Sequence, residues 1–400
     1  MRCIRAWGLA PQFEKVVTKN RFLEFRNGLT DELLGHNPHN EKDWGRDRYG
    51  EEIWNINRRD YQDVLANAAI SAGAKIIFGV EITNIDVDGV IVKAADGRVW
   101  NADVVIGADG IKSVVRKAIP ALSDVEPIAL IQEQAWRCTV PKETMRASPA
   151  LTQLLNSGNE MAWTAPERYV LSWPLPEKRD YDVVTCVQQV GDVSLGKWGA
   201  RTEPDDARKD FQDFCLLVRE LLGHIQTSVK WTLAELPPLK TCRSENGRVV
   251  VIRDAFHAMI PHSASGGNSA IEDAACLGEC LDWASKQPVS NGVTLNTATE
   301  TATRTFEEIR KPRVERMQKA SHEGYGFLGA QGDFQFIRDK ALADATKMYD
   351  ADLALPDGKR RTKPRTPPDM HARFPLEPYL QWLYGYDAVA ATRKHLMQQR

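Results

Sequence analysis

Residues 249–274 read VVVIRDAFHAMIPHSASGGNSAIEDA, and the order of textures in them decides the fold. Val249 to Ile252 is an unbroken apolar run, the pattern of a strand buried on both faces of a parallel sheet. The chain leaves that strand at Asp254, bends at Pro261, and enters a helical pattern behind Gly266 and Gly267. Ala270, Ala274, Ala275 and Gly278 give the helix a small-residue face suited to close packing on a sheet. A carboxylate at the end of a parallel strand reaches sugar-type hydroxyls, and amides at a helix start attract an anionic group that glycines let close to the backbone. The stretch marks a site for an anionic or electron-rich cofactor; its plainer reading is a tight strand-loop-helix turn eased by glycine.

Upstream, helix and strand alternate. Asn57 caps a helix over RRDYQDVLANAAISAG, where Tyr61, Val64, Leu65 and Ala68 share a face and Gly73 ends it. KIIFGV, ITNIDVDG, VIVKAADG and VWNADVVIGADG follow as strands, with DG turns among them. Val104 to Ile106 repeats the doubly buried texture and ends at Asp109 and Gly110, before a short helix KSVVRKAI. From about Pro127 to Leu239 the strands ALIQEQAWRCTV, RYVLSWPL and YDVVTCVQQV form a separate, largely antiparallel layer, with a helix through DDARKDFQDFCLLVRELLGH. Downstream come a polar loop SKQPVSNGVTLNTATE, a helix around TRTFEEIRKPRVERMQKASHEGYGF that Pro312 should bend or break, and a helix near DFQFIRDKALADATKMYD. A basic strap PDGKRRTKPRTPPDMHARFPLEP and a docking aromatic tail YLQWLYGYD close the chain. The expected division is 1–125 with 245–285 as a discontinuous cofactor domain, 126–244 as a substrate-binding β-sheet domain, and 286–400 as C-terminal helices and tail.

Composition removes several function classes. With 42% hydrophobic residues, the 400-residue chain can bury a sizeable core. Its 52 basic and 54 acidic side chains leave a net charge of -2, which gives no field for nucleic acid or an anionic membrane. No run approaches the roughly 18 apolar residues of a membrane span, and Arg2, Arg5 and Gln12 interrupt any signal-peptide core, so a cytoplasmic address is expected. The seven cysteines are scattered without a CxxC pair, which speaks against zinc and disulfide frameworks. Cys276 and Cys280 read as small buried helix residues.

Four motifs stand in order from about Met1 to Phe327: WNINRRDYQDVL with Arg58; Ala108, Asp109, Gly110, Ser113, Val115 and Arg116 of A-D-G-x-x-S-x-V-R; R-D-A-F-H-A-M-I-P followed by S-G-G-N and S-A-I-E-D-A; and RKPRVERMQKAS. This set resembles the flavin-dependent aromatic hydroxylases, the group A flavoprotein monooxygenases related to salicylate and p-hydroxybenzoate hydroxylase. The resemblance implies an α/β, FAD-binding fold with an antiparallel β substrate layer and C-terminal helices. It also implies an enzyme that uses FAD, NAD(P)H and O2 to hydroxylate a phenolic or enolic small molecule in aromatic or secondary metabolism. Epoxidation or oxidative rearrangement on the same fold is an alternative, as is an inactive fragment unable to retain FAD. By the resemblance, Asp254 bonds the ribityl chain, and Gly266, Gly267 and Asn268 face the pyrimidine end of the flavin, where the helix start favours the reduced ring's charge. Pro261 stiffens the loop between, Asp109 and Gly110 lie near the shared FAD and nicotinamide region, Arg58 meets the cofactor from the other side, and Val80 touches the adenine portion.

Two departures from that pattern stand out. Arg253 occupies the place of a glycine, so it either swings to solvent or meets a phosphate. None of the 27 glycines forms a GxGxxG, so the fold is expected to lack its first βαβ unit, on the order of 30 residues. An incomplete gene model, a short form with weakened flavin binding, and a partner chain supplying the unit are the competing accounts, the first being favoured. For the substrate, Arg137 in AWRCTV is the first candidate to hold a phenolate, and Tyr169 in RYVLSWPL the second. His262, after Pro261, is a candidate base, whereas His257 more simply holds the turn after Asp254. Trp136, Trp163 and Trp173 line an aromatic pocket or pack the sheet core.

Overall fold

Alternating strands from two parts of the chain build one wide sheet in the computed structural model, which describes residues 1–177, 179–188, 199–287, 294–356 and 367–398. The eight strands stand in the order Ala200–Thr202, Thr227–Glu235, Ile128–Val140, Tyr181–Gln188, Arg168–Trp173, Glu160–Ala165, Phe22–Asn27 and Leu33–Pro38. All neighbours are antiparallel except Glu160–Ala165 beside Phe22–Asn27, where Met161 faces Glu24 in parallel register. Period-two alternation gives the sheet two chemically distinct faces. One face carries Trp136, Trp163, Val170 and Val183 into a core closed by the helices Pro149–Ser157 and Leu216–Gly223. The other carries Phe25, Ala135, Ala162, Tyr169 and Cys186 against Ile260, Leu328 and Leu342.

The opening stretch behaves as its texture requires. Val249–Val251 is fully buried and pairs in parallel with Val105–Gly107, Val250 opposite Ile106. Helix Gly266–Ser285 follows and packs on the long helix Leu295–Leu328. A separate three-stranded antiparallel sheet, Ile82–Asp86, Ile91–Ala94 and Val99–Asn101, lies between helix Arg58–Ser71 and Val105–Gly107 in the chain. Helices Gly332–Leu353, Glu377–Tyr384 and Ala388–Gln398 complete the C-terminal part.

Two expectations fail for identifiable reasons, and of the bend or break expected at Pro312 the break does not occur. KIIFGV is not a strand: residues 75–80 make no ladder among the described residues, and Phe78 is 84% exposed, because no neighbouring strand meets their backbone. The helix through DDARKDFQDFCLLVRELLGH is broken into Pro204–Arg208, a 3-10 turn Lys209–Phe211, and Leu216–Gly223. Between the pieces, Phe214 is buried and the Cys215 amide donates to the Gly28 carbonyl at 2.8 Å, a tertiary bond that displaces the helical one. Pro312 neither breaks nor ends its helix, which runs unbroken from Leu295 to Leu328. The carbonyl deprived of a donor there is that of exposed Glu308, where water can replace the lost bond, and Arg310 and Arg313 pin the helix to Glu272 on either side. The middles of the polar loop and basic strap, 288–293 and 357–366, and the end of YDVVTCVQQV lie outside the described residues.

Candidate active site

The C-terminal ends of Val105–Gly107 and Val249–Val251 lie side by side, so the turns after them are neighbours; the Ile252 amide donates to the Gly107 carbonyl at 2.9 Å. Arg116, completely buried, ties the two turns together by donating to the carbonyls of Ile111 at 2.6 Å and Ala255 at 3.2 Å. Asp109 is occupied within its own turn: Ser113 Oγ donates to it at 2.5 Å and the Val114 and Val115 amides at 2.7 and 3.2 Å, which caps the helix Val114–Ala118. Gly110 turns the chain at a φ of 82°. Asp254, by contrast, is exposed with no side-chain partner among the described residues.

Behind Asp254 the turn is rigid. Asp273 accepts from the Arg253 amide at 2.9 Å, from Arg310 Nε at 2.8 Å, and meets His257 Nε2 at 2.5 Å, all within the core. Burial opposes the charge on Asp273, but His257 and Arg310 outweigh it and carry the pKa down to about 2. His257 is thus placed to hold the turn, with its ring buried on that carboxylate. Pro261 begins a 3-10 turn, and Gly266, Gly267 and Asn268 open their helix with no side-chain cap on its amides. A Cβ built on Gly267 would meet nothing within 4 Å, so the helix start is open to a ligand. Arg58, the first residue of helix Arg58–Ser71, is exposed, and Val80 is half-buried at the end of the unpaired 75–80 segment.

The second cluster lies on the Tyr169 face of the sheet. Glu133 accepts from Tyr169 Oη at 2.5 Å and meets His262 Nε2 at 3.0 and 2.8 Å through its two oxygens, and all three residues are buried. Burial holds the Tyr169 phenol well above its ordinary pKa, so it remains a donor. With Nε2 engaged by the carboxylate, His262 Nδ1 is left buried and without a partner. The His262 ring stands edge-on to Tyr325 with centroids 5.4 Å apart. Arg137 shares this face but not the cluster; its guanidinium donates at 2.6 Å to Asp182, whose acidity burial weakens even with that partner. Trp136 and Trp163 point into the opposite core and Trp173 lies on the Asp182 row. A surface cleft of about 1110 Å³, lined by Leu29, Met161 and Leu216, also belongs to that opposite side.

Sequence reasoning missed Glu133, yet the alternation in QEQAWRC carried it: any reading that put Arg137 on the ligand face put Glu133 there too. The structure gathers Tyr169 and His262 around it, sets Arg137 apart, and leaves Arg58, Asp254 and the Gly266 helix start as uncommitted polar groups.

Residues 1–321 match the family described as FAD binding domain. The chain belongs to that family. It is 27% identical over 350 residues to the FAD-dependent monooxygenase OpS4 of Beauveria bassiana, covering 86% of this chain and 74% of that protein. It is 29% identical over 285 residues to a 6-hydroxynicotinate 3-monooxygenase of Bordetella bronchiseptica, covering 70% and 68%. A solved salicylate hydroxylase substrate complex shares its fold, with a TM-score of 0.73 over 98% of this chain and 87% of the other at 21% identity. As a member of the FAD-binding family the protein is an FAD-dependent monooxygenase, with NAD(P)H as reductant. The residues present fit the cofactor: an uncommitted carboxylate at a strand end, an uncapped glycine-opened helix start and free guanidinium groups suit the hydroxyls, ring carbonyls and phosphates of FAD. Among the described residues no helix is long and apolar enough to cross a membrane.

Proposed function

We propose that the protein hydroxylates an electron-rich ring bearing a phenolic or enolic O–H, with His262 as the base that takes the proton. The supporting observation is the geometry of His262, whose Nε2 is held by the buried Glu133 carboxylate while its Nδ1 has no partner among the described residues. When bound, FAD reduced by NAD(P)H activates O2 and supplies one oxygen atom to the ring, the other leaving as water. The protein's part is to raise the electron density of that ring. Nε2 donates to the Glu133 carboxylate, so neutral His262 presents Nδ1 as an acceptor to the substrate O–H. As the proton moves to Nδ1, Glu133 stabilises the imidazolium, and Tyr169 fixes Glu133. Glu133 and Tyr169 are positioning residues in this scheme and His262 the catalytic one. Arg137 is paired with Asp182 apart from this cluster and has no part in the scheme.

The Bordetella relative, named for action on a hydroxylated nitrogen heterocycle, supports a substrate of this chemistry. Seven cysteines, all free and buried, accord with a cytoplasmic place of action. The test is NAD(P)H oxidation and product formation over a panel of small phenols and enols. His262→Ala and Glu133→Gln should each lower kcat/KM by about 100-fold with FAD retention unchanged. Parent-like turnover in both variants would remove the pair from the chemistry.

A further inference from the structure

We propose that Arg253 is a ligand of the FAD diphosphate, held out of its preferred backbone conformation in order to reach it. The proposal rests on the FAD-binding reading and deepens it. Arg253 has φ 57° and ψ -143°, close to a region that residues with a Cβ adopt only when surrounding structure forces them. The force is visible: its amide is fixed to Asp273 at 2.9 Å, while the amides of Phe256 and His257 both bond to its carbonyl at 2.8 Å. A glycine would satisfy the same three bonds without strain, so the side chain is what the strained arrangement retains.

That side chain has no structural task of its own. It is exposed, and its guanidinium makes no hydrogen bond or ion pair among the described residues. In this chain most arginines near the core are committed: Arg116 to carbonyls, Arg310 to Asp273, and Arg313 to Glu272. Arg253 instead stands just past the C-terminal end of two parallel strands, next to Asp254, the end of such strands at which open α/β sheets bind dinucleotides. Tyr61, one turn after Arg58, feels its charge: burial raises the phenol to about 12, and Arg253 works against that rise. Arg253 is therefore an exposed guanidinium without a partner among the described residues, as is Arg58 at the start of the helix that carries Tyr61. A guanidinium matches a phosphate oxygen pair in shape as well as charge, and a diphosphate offers two negative charges to such donors.

The assignment separates strain from binding, and three ligands measure both. The purified full chain, stripped of flavin, is titrated with FAD and with riboflavin by quenching of flavin fluorescence, and with ADP by calorimetry. Thermal unfolding of the apo form is recorded in parallel. Arg253→Gly should raise the apo melting temperature by a few degrees, since it releases the backbone. It should weaken FAD and ADP by about tenfold and leave riboflavin, which has no phosphate, unchanged. Arg253→Lys should recover part of the loss. Equal or tighter FAD binding by Arg253→Gly, or an equal loss for riboflavin, would overturn the assignment to the diphosphate while leaving the FAD reading intact. A parent chain that binds none of the three ligands would overturn both.

Discussion

At the scale of single residues, Asp273 holds the cofactor turn from three sides. One carboxylate fixes the Arg253 amide, the His257 ring and the Arg310 guanidinium without solvent contact. Its pKa of about 2 lies below the ordinary 3.8, so its contribution to stability is complete above pH 4 and disappears as the pH falls through about 2. That window carries about 2 kcal/mol from this residue. Asp273→Asn should flatten the dependence of urea-unfolding free energy on pH between 4 and 2; a curve parallel to the parent's would place the acid sensitivity elsewhere. The sequence held Asp273 only as a letter in an A-I-E-D-A motif, because ion pairs across 37 residues of chain have no local signature. His262 and Tyr169 were legible as candidates by residue type and position, but their shared partner Glu133 was not, nor was the diagonal pairing of Arg137 with Asp182 on the neighbouring strand. Residue type indicates which groups can do chemistry; only packing indicates which are already engaged.

At the scale of elements, the helix Gly266–Ser285 is a hub joined on one side to Leu295–Leu328 and on the other to the C-terminal tail. Glu272 and Arg313 make this junction. Arg313 donates to Glu272 at 2.7 and 2.8 Å and to the Leu383 carbonyl at 2.9 Å, and its guanidinium lies over the rings of Trp382 at 4.4 Å and Tyr386 at 3.9 Å. From the other side Arg2 donates to the Tyr384 carbonyl at 2.8 Å, so both ends of the chain meet at this tail. The aromatic tail was expected to dock because its residues are too apolar for solvent; what it docks on could not be read from sequence. Arg313→Ala removes three kinds of contact at once but leaves Glu272 paired with Arg310, so the cost should be about 2 to 3 kcal/mol rather than global collapse. The tail should become the first site of limited proteolysis in that variant. Cleavage at the same rate as in the parent would mean that the tail is held by its apolar contacts alone.

At the scale of the whole molecule, the textures of the sequence anticipated a parallel pair, an antiparallel sheet and C-terminal helices, because periodicity reports burial on one face or two, but not that Phe22–Asn27 and Leu33–Pro38 join that sheet from the first part of the chain. They misread residues 75–80, since an apolar strand pattern describes a segment's needs and says nothing of whether a neighbour meets them. Here Ile76, Ile77 and Phe78 are 38%, 43% and 84% exposed in succession, and Ile106 on the parallel pair is 44% exposed. Consecutive exposed apolar residues with unpaired backbone groups make a surface that pairs with other chains. Phe78→Lys adds a charge where nothing packs, so it should leave the melting temperature within the range of a neutral surface substitution, about 0.5 kcal/mol. Light scattering of the concentrated apo protein should fall at the same time. If Phe78→Lys instead lowers the melting temperature by several degrees with scattering unchanged, the phenyl ring is buried in the folded protein in solution, and the segment has a partner that stabilises the fold rather than an edge that invites association.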